Sequence, residues 1–129
     1  MKENDNQLSK AQGKYIISGE HSVLLNSTAI AIAIDKYTFC NIAPTKNSHI
    51  TVHLNDLSYH KEWSCDELLR LKHGIDRSYQ NFLLKKQDLA DVISAPEQLA
   101  LYTVAFMIEK YKLSHSQSIE VTVSSEIPI

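Results

Sequence analysis
Only three glycines occur among 129 residues, at positions 13, 19 and 74, and no two lie close enough to form a Gly-x-Gly loop. The backbone cradle that such a loop offers to a polyanion is therefore missing from these residues. Cysteine is scarcer still. Cys40 and Cys65 stand alone without CxxC spacing, which excludes a disulfide framework and a thiolate zinc site. One bridge between them stays open, though nothing favours it, and both are read as free thiols of a reducing cytoplasm. No HExxH or clustered Cys/His set is present, so no metal site is expected. No run approaches the roughly 18 apolar residues of a membrane span. Residues 1–7 are polar and lack the apolar core of a secretory signal. Neither charge dominates: 13 basic residues face 15 acidic ones, for a net charge of −2 and an isoelectric point near 6.3. That balance gives no broad attraction for nucleic acid or an anionic membrane.

What remains is ordinary globular material, 43% apolar and 22% charged, enough for one domain at most. Residues 1–10 are expected to form a disordered polar tail. A short apolar run at 14–18 reads as a buried strand, and Asn26-Ser27 as a turn. Residues 29–43 favour β structure, with a bend or bulge expected at Asp35 and an end at Pro44. The alternation of Ile50, Val52 and Leu54 predicts a half-buried strand, and residues 57–63 a short return strand.

Helical spacing takes over at Ser64, which with Glu67 has capping-box spacing. Gly74 interrupts the periodic residues Leu68, Leu71, Ile75, Tyr79, Phe82 and Leu83, so two helices or a kink are expected there. Pro96 suits a helix start. Leu99, Thr103, Phe106, Met107 and Tyr111 are expected to form that helix's apolar stripe. Residues 118–124 alternate without a break and form the most secure strand. Strands, helices, then a strand describe an α+β domain with helices on one face of a sheet.

The stretch with chemical content runs from Gly13 to Leu25: Gly-Lys-Tyr-Ile-Ile-Ser-Gly-Glu-His-Ser-Val-Leu-Leu. A strand empties into a glycine turn that presents Glu20 and His21 side by side, and Gly13 frees the approach to Lys14. Taken singly, Lys14 is a solvated lysine at a strand start, and Glu20 and His21 are turn residues. Asp35 is then a bend former and Ser125 a strand end.

As a unit, this stretch resembles the first motif of a family of small-molecule kinases, which includes galactokinases and homoserine, mevalonate and phosphomevalonate kinases. That motif reads Pro-Gly-Lys/Arg, four or five mostly apolar residues, then Gly-Glu-His. Gln12 departs from it where proline is usual. The Ala-Ile-Ala-Ile-Asp-Lys-Tyr-Thr of residues 31–38 and the Ser-Glu-Ile-Pro-Ile of residues 125–129 look most like mevalonate kinases.

The resemblance implies the ribosomal-protein-S5-domain-2-like fold of the family's N-terminal domain, with residues 11–129 an incomplete copy truncated before the phosphate loop. It places Lys14 near the transferred phosphate as the catalytic cation. Glu20 and His21 would line the acceptor pocket with Ser22 as a minor partner, and Asp35 and Ser125 would stand near the nucleotide. It implies ATP and Mg²⁺ as cofactors of the complete enzyme, and an alcohol acceptor, mevalonate before phosphomevalonate, on the route to isoprenoid precursors. In the family the phosphate loop, Mg²⁺ ligands and catalytic base follow a segment like residues 125–129.

The chain alone is therefore expected to show little kinase activity and no tight cofactor binding. A C-terminal half or a homodimer is the expected protein partner. A second reading is a non-catalytic interaction domain, whose last strand, if it lies at a sheet edge, would offer unpaired backbone groups to a partner. A third, an RNA-binding domain of the same fold, conflicts with the acidic balance.

Overall fold
A computed structural model of the chain describes residues 7–21, 25–113 and 118–127. The elements run β1 (Gln7–Ser18), β2 (Ile30–Pro44), β3 (Ile50–Leu54), β4 (Tyr59–Trp63), α1 (Cys65–Leu83), α2 (Glu97–Tyr111) and β5 (Ile119–Ser125), with short 3₁₀ turns at Asn55–Leu57 and Leu89–Asp91. The strands form one sheet in the order β1-β2-β5-β3-β4. All neighbours are antiparallel except β3 and β5, which run parallel.

The core lies between the middle of this sheet and both helices. Ile50, Val52 and Leu54 project from one face of β3 onto Leu68 of α1 and Leu101, Ala105 and Ile108 of α2. Val52, Leu68 and Leu101 are fully enclosed, each contributing about 1.5–3 kcal/mol of transfer free energy. α1 starts as its sequence dictates. The Ser64 hydroxyl accepts from the Glu67 amide while the Glu67 carboxylate accepts from the Ser64 amide, so two orphan donors of the first turn are satisfied together.

Five expectations need correction. The strand at residues 14–18 is not buried: Tyr15 and Ile17 are largely exposed, because none of the described helices covers this part of β1. The tail ends sooner than residue 10: β1 begins at Gln7, because residues 7–10 pair with residues 39–42 of β2. The helix does not break at Gly74, which sits on the exposed side of a continuous α1. A propensity cost of about 1 kcal/mol is smaller than what burying Leu68 and its neighbours returns. The stripe assigned to α2 is turned the wrong way. Leu99, Thr103, Phe106, Met107 and Tyr111 are exposed, whereas Leu101, Ala105 and Ile108 face the sheet. That helix is apolar nearly all round, so periodicity had no polar face to orient it. Finally, β5 is no edge strand, since β2 and β3 flank it on either side. The edges are β1 and β4.

The two helices are also joined by a polar clamp that sequence spacing did not reveal. Lys72 of α1, itself buried, sets its ammonium 2.7 Å from Asp76 and 2.9 Å from Glu109 of α2. Tyr102 donates to the other Asp76 oxygen, and His73 meets the other Glu109 oxygen at 3.0 Å. The hydrogen bonds that Lys72 donates to these carboxylates push its pKa above its ordinary value, and the same bonds hold Asp76 and Glu109 below theirs.

Candidate functional site
The motif lies on a β1/β2 hairpin whose outer half extends past the helix-backed part of the sheet. Lys14 to Ser18 pair only with residues 30–33 of β2, whereas residues 38–44 of β2 also carry β5. Two glycines shape this hairpin. Gly19 has φ of +90°, and a Cβ there would stand 2.6 Å from both the Ala29 Cα and the Thr28 carbonyl oxygen. Only glycine lets the chain pass so close to the start of β2 while turning into Glu20 and His21. At Gly13 the restriction is a close approach: a Cβ would lie 2.8 Å from Ile127 Cδ1 and 3.2 Å from Ile34.

That approach marks a junction of three segments. The β1–β2 register breaks between Gln12, opposite Tyr37, and Lys14, opposite Ala33, so Gly13 faces residues 34–36 in a bulge. Asp35 sits in this bulge, as the sequence led one to expect. The end of β5 is fastened to the same place. The Glu126 carboxylate accepts from the Tyr37 amide, and the Glu126 amide donates to the Tyr37 carbonyl, both at 2.9 Å. Thr38 and Ser125 share a hydroxyl hydrogen bond of 2.9 Å, and Ser125 Oγ also receives the Ile127 amide. From the 3₁₀ turn, Asp56 accepts the Ser125 amide at 2.7 Å.

Lys14, Asp35 and Ser125 are thus drawn to one region, with Lys14 and Asp35 exposed and Ser125 half-buried. Glu20 and His21, both exposed, stand beyond the far end of β1. From Lys14 to Ser18 the strand advances roughly 13 Å, so the motif splits into two stations along one strand. Ser22 lies outside the described residues.

Glu126 and Asp56 are the positioning groups that sequence reasoning overlooked. Glu126 carried a signal, its place in the Ser-Glu-Ile segment. Asp56 carried none, being a turn residue 69 positions from the amide it holds.

Nothing here amounts to a magnesium shell. Among the described residues no three His, Cys, Asp or Glu side chains converge as metal ligands. The residues present fit a single cationic contact to a phosphate at Lys14, and no more. Two surface depressions, of about 520 and 430 Å³, are lined by residues between Arg70 and Gln98 and include no motif residue.

Compared with known proteins, the chain is 34% identical over 109 residues to a mevalonate kinase of Arabidopsis thaliana, 81% of this chain and 26% of that enzyme. It is 25% identical to one from Schizosaccharomyces pombe over 91% of its own length and 31% of the relative's. Against the Bos taurus enzyme it is 28% identical, over 94% and 33%. No protein-family model matches. Among solved structures, the Methanococcus jannaschii mevalonate kinase superposes with a TM-score of 0.69 at 20% identity, over 99% of this chain and 35% of that one. Another mevalonate kinase gives 0.67 at 21%, over 95% and 33%. The chain spans between about a quarter and a third of the length of these relatives.

Proposed function
Because the chain is related in sequence and fold to part of the mevalonate kinases, we propose that it supplies one wall of the active site of an ATP-dependent kinase that phosphorylates the mevalonate hydroxyl. In this reading Lys14 neutralises charge on the transferred phosphoryl group, while Asp35 and Ser125 stand toward the nucleotide. Glu20 and His21, one strand-length away, hold the acceptor alcohol, joined by Ser22. Phosphoryl transfer rests on positioning and electrostatics more than on covalent chemistry, so a strand that spaces a cation from an acceptor pocket is a suitable scaffold. In the complete enzyme ATP would supply the phosphoryl group and Mg²⁺ would share with Lys14 the neutralisation of its charge, held by residues other than the described ones. The product enters isoprenoid precursor synthesis, and the setting is the cytoplasm.

The single observation carrying this reading is the junction at Gly13, where the motif strand, the Asp35 bulge and the Ser125–Ile127 segment meet. The hairpin adds support for a larger assembly. Tyr15, Ile17, Leu25, Ile30 and Ile32 are 49–81% exposed, an apolar surface of the kind another polypeptide covers. Its occupant is the complementary part of the same enzyme, and a homodimer is the other arrangement this surface allows. The competing interaction-domain reading loses its specific support, because β5 is interior rather than an edge.

The 129-residue chain alone is expected to convert mevalonate and Mg-ATP at less than about a hundredth of ordinary kinase rates. Replacing the homologous quarter of the Arabidopsis enzyme with residues 7–127 tests the assignment. The chimaera is expected to form ADP only when mevalonate is present, and to lose turnover on Lys14→Ala. A folded chimaera that binds ATP but phosphorylates no alcohol would refute the proposal.

A further inference from the structure
On the face of the sheet turned away from the helices, strand pairing assembles a group that sequence order keeps apart. His53 of β3 lies directly opposite His60 of β4, and their Nδ1 atoms are 2.8 Å apart. Behind His53, its Nε2 stands 3.0 Å from Glu120 Oε1 on the neighbouring β5. Val52 and Leu54 point into the core, so the alternation of the strand turns His53 outward. It is half-buried, whereas His60 is exposed.

We infer that His53 and His60 form a two-histidine site for a divalent transition metal with tetragonal preference, Cu²⁺ foremost. Three features carry this. An ionised carboxylate can only accept, so Glu120 fixes the His53 proton on Nε2 and leaves Nδ1 with a free lone pair. That is the carboxylate–histidine arrangement that orients a metal ligand.

The separation also selects the geometry. At metal–nitrogen distances of about 2.0–2.1 Å, two imidazole nitrogens in adjacent square-planar positions lie about 2.9 Å apart, against about 3.3 Å on a tetrahedral ion. The 2.8 Å seen here matches the first without a strand shift.

Third, the rings do not meet head-on. Their centroids are 4.2 Å apart with planes inclined at 50°, whereas an in-line N–H···N bond would hold them about 5 Å apart. The two Nδ1 atoms are thus hydrogen-bonded along a bent line, and an ion that replaces the proton of that bond can touch both. His60 frees its Nδ1 lone pair by carrying its proton on Nε2, an exchange through solvent that its exposure permits. Water fills the remaining positions.

The site is independent of the kinase assignment, since none of its residues belongs to the motif, and it is testable on the 129-residue chain. Cu²⁺ is titrated in against glycine as competitor, and the bound ion is examined by electron paramagnetic resonance. The expected result is one tightly held Cu²⁺ per chain with two nitrogen ligands. His60→Ala and His53→Ala should each weaken binding at least tenfold, and Glu120→Ala by about tenfold.

His60→Ala is the decisive variant, because its exposed position on edge strand β4 spares the core; circular dichroism checks its fold. Unchanged affinity in folded His60→Ala would overturn the inference and move the copper to the amino terminus or to His21, His49, His73 or His115. A parent spectrum without nitrogen coupling would overturn it equally.

Discussion
Under the helices, Ile50, Val52 and Leu54 are almost wholly withdrawn from solvent, while on the hairpin Tyr15, Ile17, Ile30 and Ile32 expose about half their surface or more. Both groups are apolar strand residues of one sheet. They differ in what lies over them: two clamped helices in one case, none of the described helices in the other. The residues that resemble a catalytic motif sit on the uncovered part. The helix-backed body thus anchors a hairpin that it does not itself bury.

The sharpest test of that division is truncation on each side. Leu101→Ala should lower unfolding free energy by about 2–5 kcal/mol in urea titration, and Ile32→Ala by less than about 0.5 kcal/mol. Equal costs would erase the distinction. Within the hairpin one position should behave like core. Gly19→Ala must place a Cβ against Ala29 at positive φ, with an expected cost of about 1–3 kcal/mol and amide shifts centred on Glu20 and His21.

The clamp sharpens the body's side through pH. Asp76 and Glu109 are held below their ordinary values, so their contribution is complete above the unfolded values near pH 4 and is lost as pH falls through the lowered ones. Lys72 is raised, so its contribution is complete below about pH 10.4 and is lost only as pH climbs through the raised value. Thermal melts of Lys72→Met should therefore show lower stability than the parent at neutral pH and a difference that shrinks in acid; a constant difference would contradict the ion pairing. The smallest effect is a gain. A Cβ at Gly74 meets nothing within 4 Å, so Gly74→Ala should add up to about 1 kcal/mol, with the hairpin's amide exchange unchanged.

Much of the fold was legible where a local signal was strong. The Ser64–Glu67 cap, the β3 alternation, the Asp35 bulge and the residues of β5 all emerged where their patterns put them. The α2 stripe failed because apolar residues surround that helix, and the Gly74 break because burial outweighed propensity. The sequence shows no Cys/His cluster because His53 and His60 are brought together by pairing across a turn.

By itself, then, the sequence determined the elements, their caps and turns, and the motif from Gly13 onward, since these depend on residues within a few positions of one another. Only the tertiary structure decided which face of α2 is core, that β5 is interior, that Asp56 and Glu126 fasten the Ser125 segment beside Gly13, and that Glu120 stands behind a histidine pair. Those outcomes rest on contacts between residues from seven to almost ninety positions apart. Such contacts form when the sheet assembles, and no local pattern encodes them.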